Sequence, residues 1–201
     1  LFLILWEGSA QMGTLDSFIF SSPSKAASCA YGMIQDHSLF VHIGITLFET
    51  ITSFGLVLLS SLAITILLWY NRRISETLEP YLVILNSLPK SALAPLLIVW
   101  LGANYTTIII TGMSVAIFGS ILSLYTCFQS VDAEKVKLIY TLGGQKHHVL
   151  AKVILPASIP SLFALMKVNI GLCLVGVIIG EFIASRQGLG YLIIYGSQVF
   201  K

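Results

Sequence analysis

Charged residues are scarce in this chain. They make up 10% of its 201 residues, where a soluble domain carries about 25%. That shortage excludes an ordinary soluble fold, and a net charge of only +2 gives no basic field for nucleic acid. Cysteine is nearly missing too. Cys29, Cys127 and Cys173 lie far apart, their number is odd and no Cys-x-x-Cys occurs, so neither a disulfide framework nor a metal site is supported. No Gly-x-x-x-x-Gly-Lys-Ser/Thr run is present, so ATP has no phosphate loop in this sequence. No His-Glu-x-x-His occurs, and His37, His42, His147 and His148 fall at loops or span ends, which argues against an enzyme buried in the spans. Adjacent on a helix, His147 and His148 are expected to diverge as solvated residues. Gly188, Gly190 and Tyr191 do not continue into a dinucleotide fingerprint.

What the chain does have is apolar surface: 56% hydrophobic residues and a mean hydropathy of +0.91. Only helices or closed barrels satisfy backbone groups in lipid, and the dyad alternation of barrel strands is missing. The fold class is therefore all-α, a polytopic membrane helix bundle forming one domain over 1–201. The hydropathy predicts spans at about 43–70, 81–101, 106–128 and 161–179, with a partial one at 1–6. Leu1 to Trp6 reads as the outer end of a first span whose beginning is missing, and Glu181 to Lys201 stops before a final span, so truncation at both ends is expected. Pro23-Ser24 opens a short amphipathic helix over Lys25 to Asp36, and Phe18, Ile19 and Phe20 suit the interface. Pro89 and Pro95 break the segment from Tyr81 to Leu101. Gly176 and Gly180 have the small-xxx-small spacing of closely packed helices.

One polar interlude, Asp132 to Pro160, interrupts this pattern. It predicts two short helices, Asp132 to Leu142 and Gln145 to Leu155, split by Gly143-Gly144. Val136, Ile139 and Tyr140 share one face of the first, while Glu134, Lys135 and Lys137 stay polar. Val149, Leu150, Val153 and Ile154 form the apolar side of the second. Pro156 suits the first turn of the next helix. Helices this mixed do not cross a bilayer. Arg72, Arg73, Lys135, Lys137, Lys146 and Lys152 fall on one side, against Lys25, Arg186 and Lys201 on the other. That bias puts the interlude in the cytoplasm.

The spacing within the interlude resembles the EAA loop of bacterial ABC importer permeases with the MetI-like fold. The family pattern is Glu-Ala-Ala, three residues, Gly, nine residues, Ile-x-Leu-Pro. Aligned on Gly143 and Leu155-Pro156, it puts Val153 at the Ile and Lys137-Leu138-Ile139 at Glu-Ala-Ala. The acidic position thus holds Lys137, and Glu134 offers a carboxylate one turn earlier. Leu5-Trp6-Glu7, Pro23-Ser24, Leu78-Glu79-Pro80, Leu88-Pro89, Ala94-Pro95, Trp100-Leu101-Gly102, Val131-Asp132 and Gly188-Leu189-Gly190-Tyr191 resemble the nitrate/sulfonate/taurine subgroup in order along the chain. The resemblance implies a type I importer subunit in the bacterial inner membrane, not itself an enzyme. A second permease subunit in a homodimer, ATP-binding cassette ATPase subunits holding ATP and Mg, and an extracytoplasmic solute-binding protein would complete it. The coupling residues it implies are Glu134, Lys137, Leu138, Ile139, Leu142, Gly143, Gly144, Leu155 and Pro156.

Polar residues within spans are the other candidates, because polar groups in lipid face a cavity or another helix. Glu49, Asn86, Lys90, Asn169 and Glu181 are the candidate path-lining groups, with helix–helix bonding or snorkelling of Lys90 and Lys167 as the alternative. A secondary transporter or a channel subunit without an ATPase partner is the competing class. The former needs paired broken helices and mid-depth carboxylates, and no internal repeat is visible.

Overall fold

The computed structural model describes residues 2–12 and 21–199. Phe18, Ile19 and Phe20 lie outside the described residues. Helices account for the regular structure there: α1 Phe2–Gln11, α2 Pro23–Gln35, α3 Ser38–Tyr70, α4 Arg72–Ser87, α5 Lys90–Leu101, α6 Tyr105–Gln129, α7 Ala133–Thr141, α8 Lys146–Val149, α9 Leu155–Ala184 and α10 Leu189–Val199. No strand occurs among the described residues.

Helix α6 is the centre, packed against both α3 and α9, which also touch each other. Small residues allow that approach. A Cβ on Gly176 would lie 2.8 Å from the Cα of Gly112, and one on Gly180 would lie 3.2 Å from Ile108. Close backbones gain dispersion contact where lipid offers no hydrophobic drive. Val57, Ala116 and Cys173 bring the three helices together at one level, and Leu68, Ile121 and Tyr125 do so for α3 and α6 nearer one end. Buried hydroxyls tie the bundle further: Ser53 donates to the Ile109 carbonyl at 3.0 Å, and Ser120 to Asn169 Oδ1 at 2.9 Å.

Three helical stretches are long and apolar enough to cross a membrane: Ser38–Tyr70, Tyr105–Gln129 and Lys146–Ala184. The segment expected to cross as 81–101 lies in two helices, α4 and α5, meeting at 98°. The cause is Leu88-Pro89. A residue before proline is pushed to extended backbone, and Leu88 sits at ψ 143°. Pro80, by contrast, is absorbed inside α4, and Pro95, expected to break the segment with Pro89, is absorbed inside α5. The expected 161–179 span starts much earlier, because the chain runs helically from Lys146 to Ala184 over 39 residues. Within the opening pair, Glu7 accepts from the Ser24 amide at 3.0 Å and its hydroxyl at 2.8 Å. The carboxylate thereby caps the positive end of α2, and the two motifs Leu5-Trp6-Glu7 and Pro23-Ser24 meet in space.

Candidate coupling loop and the polar groups of the bundle

Asp132 starts the loop by accepting from the Glu134 amide at 2.9 Å, an N-cap for α7. The helix stops at glycine. Gly143 takes φ +80°, a region that L side chains rarely adopt. The Gly144 amide then turns back to the Ile139 carbonyl at 2.8 Å. A Cβ on Gly144 would lie 2.7 Å from that same oxygen. The two glycines thus do different work: one supplies the backbone angle, the other supplies clearance.

The second predicted helix is not separate. After α8, residues Leu150–Ile154 form a π-helical turn that passes without a break into α9. The Leu155 amide reaches back five residues to the Leu150 carbonyl. Pro156 gives the physical reason. Its ring would press on the carbonyl four residues back and it has no N–H to offer, so widening the turn before it keeps the helix continuous. The loop is therefore built directly onto a membrane-spanning helix.

Its underside is greasy. Val136 and Ile139 of α7 pack against the cluster of Phe128, Val149 and Ile154, as do Leu62, Ile66 and Trp69 of α3. Lys146 donates to the Tyr70 carbonyl at 2.6 Å and lies 5.4 Å over the Trp69 ring, which fastens α8 to the end of α3. The outer side is open. Leu138 is 58% exposed and Leu142 75% exposed. Tyr140, expected on the packed face, is exposed with them, because only Val136 and Ile139 reach the cluster below. Glu134 and Lys137 are exposed one turn apart. His147 and His148 do not diverge as expected. Their rings lie 3.9 Å apart, and His148 Nδ1 accepts from the Gln145 amide at 3.1 Å, which draws one ring back over the other.

Of the polar candidates in the spans, Glu49, Asn169 and Glu181 are buried between helices. Asn169 bonds Ser120, and Glu181 bonds Thr46 and the Gly190 amide. Small neighbours let these helices close over their polar groups. Asn86 and Lys90 remain half-exposed at the α4–α5 bend. Asn86 faces α6: a Cβ added to Gly119 would lie 3.3 Å from its Oδ1. The π-helical turn and the network around Glu181 were not foreseen from the sequence. The latter had a partial signal in Gly188-Leu189-Gly190, since glycines crowded near a buried acid mark a close backbone approach.

Residues 55–200 match the family model described as the binding-protein-dependent transport system inner membrane component. The chain belongs to this family. Its relatives include a probable ABC transporter permease of Haemophilus influenzae, 29% identical over 97% of this chain and 79% of that protein. A formylaminopyrimidine transport permease of Halalkalibacterium halodurans is 26% identical over 94% of this chain and 75% of its own length. A putative aliphatic sulfonates transport permease of Bacillus subtilis is 26% identical over 98% and 71% respectively. Membership fits the geometry of this permease chain, a bundle of spanning helices with one rigid polar projection at an end.

Proposed function

We propose that the chain is the permease subunit of a binding-protein-dependent ABC importer in the bacterial inner membrane, crossing it several times. Two copies, packed as a homodimer, enclose the substrate path. ATP and Mg are held by separate ATPase subunits, and an extracytoplasmic solute-binding protein delivers the solute. The solute is small, of the sulfonate, nitrate or taurine type or a vitamin precursor, in keeping with what the relatives are named for.

The observation that carries this reading is the helical continuity from Lys146 to Ala184, with exposed Leu138 and Leu142 standing beside its inner end. Apolar side chains held out on a short, stiff helix suit a groove in a soluble partner. A push on α7 passes through the packed Val136 and Ile139 to Val149 and Ile154, and so into α9. Rotation of a packed helix is a recognised way of switching a bundle between two arrangements. Glu134, Lys137, Leu138, Ile139, Leu142, Gly143, Gly144, Leu155 and Pro156 form this lever, and Asn86 and Lys90 are the polar groups offered to the path.

The test is assembly. Leu142→Asp, on a residue that touches nothing in the bundle core, should abolish co-purification of the ATPase while the permease itself remains folded in the membrane. Undiminished recovery of the ATPase with Leu142→Asp and with Leu138→Asp would overturn the assignment.

A further inference from the structure

At the end of the bundle away from α7, a cleft of about 450 Å³ opens between the turn 102–104, which joins α5 to α6, and the loop 185–188, which joins α9 to α10. Its position follows from chain direction. Helix α6 starts at Tyr105 and runs toward α7, and α9 runs away from the coupling loop to end at Ala184. The charge bias that puts α7 in the cytoplasm puts this cleft outside. Its volume falls in the range of small-molecule sites, about 300–1,000 Å³.

The walls are sorted by charge. Arg186 stands in the cleft and makes no ion pair among the described residues. No carboxylate lines the cleft there. The nearest acid along the chain, Glu181, is fully buried, and its oxygens accept from Thr46 and from the Gly190 amide. Neutral acceptors on the walls are engaged already. Asn104 Oδ1 accepts from the Thr107 amide at 2.9 Å, Gln187 Oε1 from the Tyr105 hydroxyl at 3.4 Å, and Ser185 Oγ from the Gln187 amide at 3.0 Å. The bond between Tyr105 and Gln187 also joins one wall to the other. What the cleft still offers is donors, the N–H groups of the Arg186 guanidinium and of the Gln187 side-chain amide. The positive end of α6 lies in the same wall and adds to the field. Ala103, Ile108 and Ala184 make the rest of the lining apolar.

A planar fork of charged donors, with no acid beside it and an apolar wall behind, selects a ligand with an oxyanion head and a short apolar body. We propose that this cleft is an outer binding site for the solute, a small organic oxyanion of the sulfonate or carboxylate kind. Arg186 holds the head, Gln187 adds a hydrogen bond, and Ile108 and Ala184 take the body. The proposal rests on the permease reading for one point, that the ligand is the transported solute. A neutral solute has nothing to give Arg186, so the site divides the candidate solutes by charge. Arg186 is exposed, so water screens the pair and binding is weak. Weak binding suits a site that must pass its ligand onward.

The experiment uses the permease in nanodiscs of neutral lipid, with the native Cys29, Cys127 and Cys173 replaced and Ala103→Cys placed in the cleft wall. Labelling rates are measured for 2-sulfonatoethyl methanethiosulfonate, itself a small sulfonate, and for its cationic trimethylammonioethyl counterpart, each normalised to free cysteine. The expected result is a rate ratio that favours the sulfonate by about fivefold or more and is lost in Arg186→Gln. Ethanesulfonate, replacing chloride at constant ionic strength, should slow the labelling saturably while Arg186 is present. Should Arg186→Gln fail to fold, Arg186→Lys is expected to keep the charge preference and weaken the ethanesulfonate competition, because an ammonium lacks the planar fork. Equal normalised rates for the two reagents overturn the proposal, as does a preference that survives Arg186→Gln. A preference that ethanesulfonate does not compete away also overturns it, since Arg186 then offers charge to a docking protein and holds no solute. Neither ATPase nor binding protein enters this measurement, so its failure leaves the permease assignment standing, and failure of the ATPase recovery test leaves the anion site standing.

Discussion

Replacing Gly144 with alanine separates the coupling loop from the bundle that carries it. The new Cβ would lie 2.5 Å from the Ile139 side chain and 2.7 Å from the Ile139 carbonyl oxygen. The side chain can swing away. The carbonyl cannot, because it also accepts from the Gly144 amide at 2.8 Å. The turn must open, losing that bond, worth about 1 kcal/mol, and adding about 1–3 kcal/mol of crowding. At about 1.4 kcal/mol per tenfold, the closed turn falls in population by about thirtyfold or more. Ile139 is also the residue that seats α7 on Phe128 and Val149, so opening the turn unseats the lever. The α3–α6–α9 core is built from other residues and keeps its melting temperature. In proteoliposomes holding the whole transporter, Gly144→Ala should lower ATP-driven uptake by about thirtyfold or more, with the permease still folded. Gly143→Ala should be milder, because nothing lies within 4 Å of its Cβ and only the φ of +80° is strained, about 1–2 kcal/mol. Uptake by Gly144→Ala equal to that of the unaltered transporter would refute the reasoning.

Lys137→Glu and Glu134→Lys change the charge that α7 presents, so each should alter ATPase binding at low salt and less so at high salt; unchanged binding for both would make Lys137 a mere solvated lysine. Asn169→Ala removes one hydrogen bond at the α6–α9 contact, the Ser120 hydroxyl keeping the Ala116 carbonyl as acceptor, which should cost about 1 kcal/mol and show as a lower melting temperature of the purified permease. Gly188→Ala combines φ +109° with overlap on the Glu181 carboxyl, so the loop between α9 and α10 should loosen, read as a mobile nitroxide on Gln187→Cys in a background without the native cysteines. Asn86→Ala and Lys90→Ala leave the buried core untouched and should change transport kinetics, measured as uptake against solute concentration, without changing the melting temperature.

Periodicity and proline placement made the long helices readable, because a spanning helix must satisfy its own backbone and so follows composition closely. The loop glycines were readable for the same kind of local reason: glycine takes the angle at 143 without strain, and the clearance at 144 leaves no room for a Cβ. Three features were not. The continuity of α8 with α9 depends on a π-helical turn ahead of Pro156, and proline usually marks a helix start as well as a widened turn. The 98° bend at Leu88-Pro89 was visible as a break but not as an angle, which neighbours set. The fate of Glu49, Asn169 and Glu181 depended on whether α3, α6 and α9 close over them. Hydropathy places a polar residue at a depth and says nothing of the direction it faces.

The central claim is that α7 stands on the cytoplasmic side and is covered there by the ATPase. It is tested most directly by labelling Leu142→Cys, in a background without the native cysteines, with a membrane-impermeant thiol reagent in right-side-out and inverted vesicles. The account predicts reaction only in inverted vesicles, and protection there when the ATPase is bound. Reaction in right-side-out vesicles would contradict it.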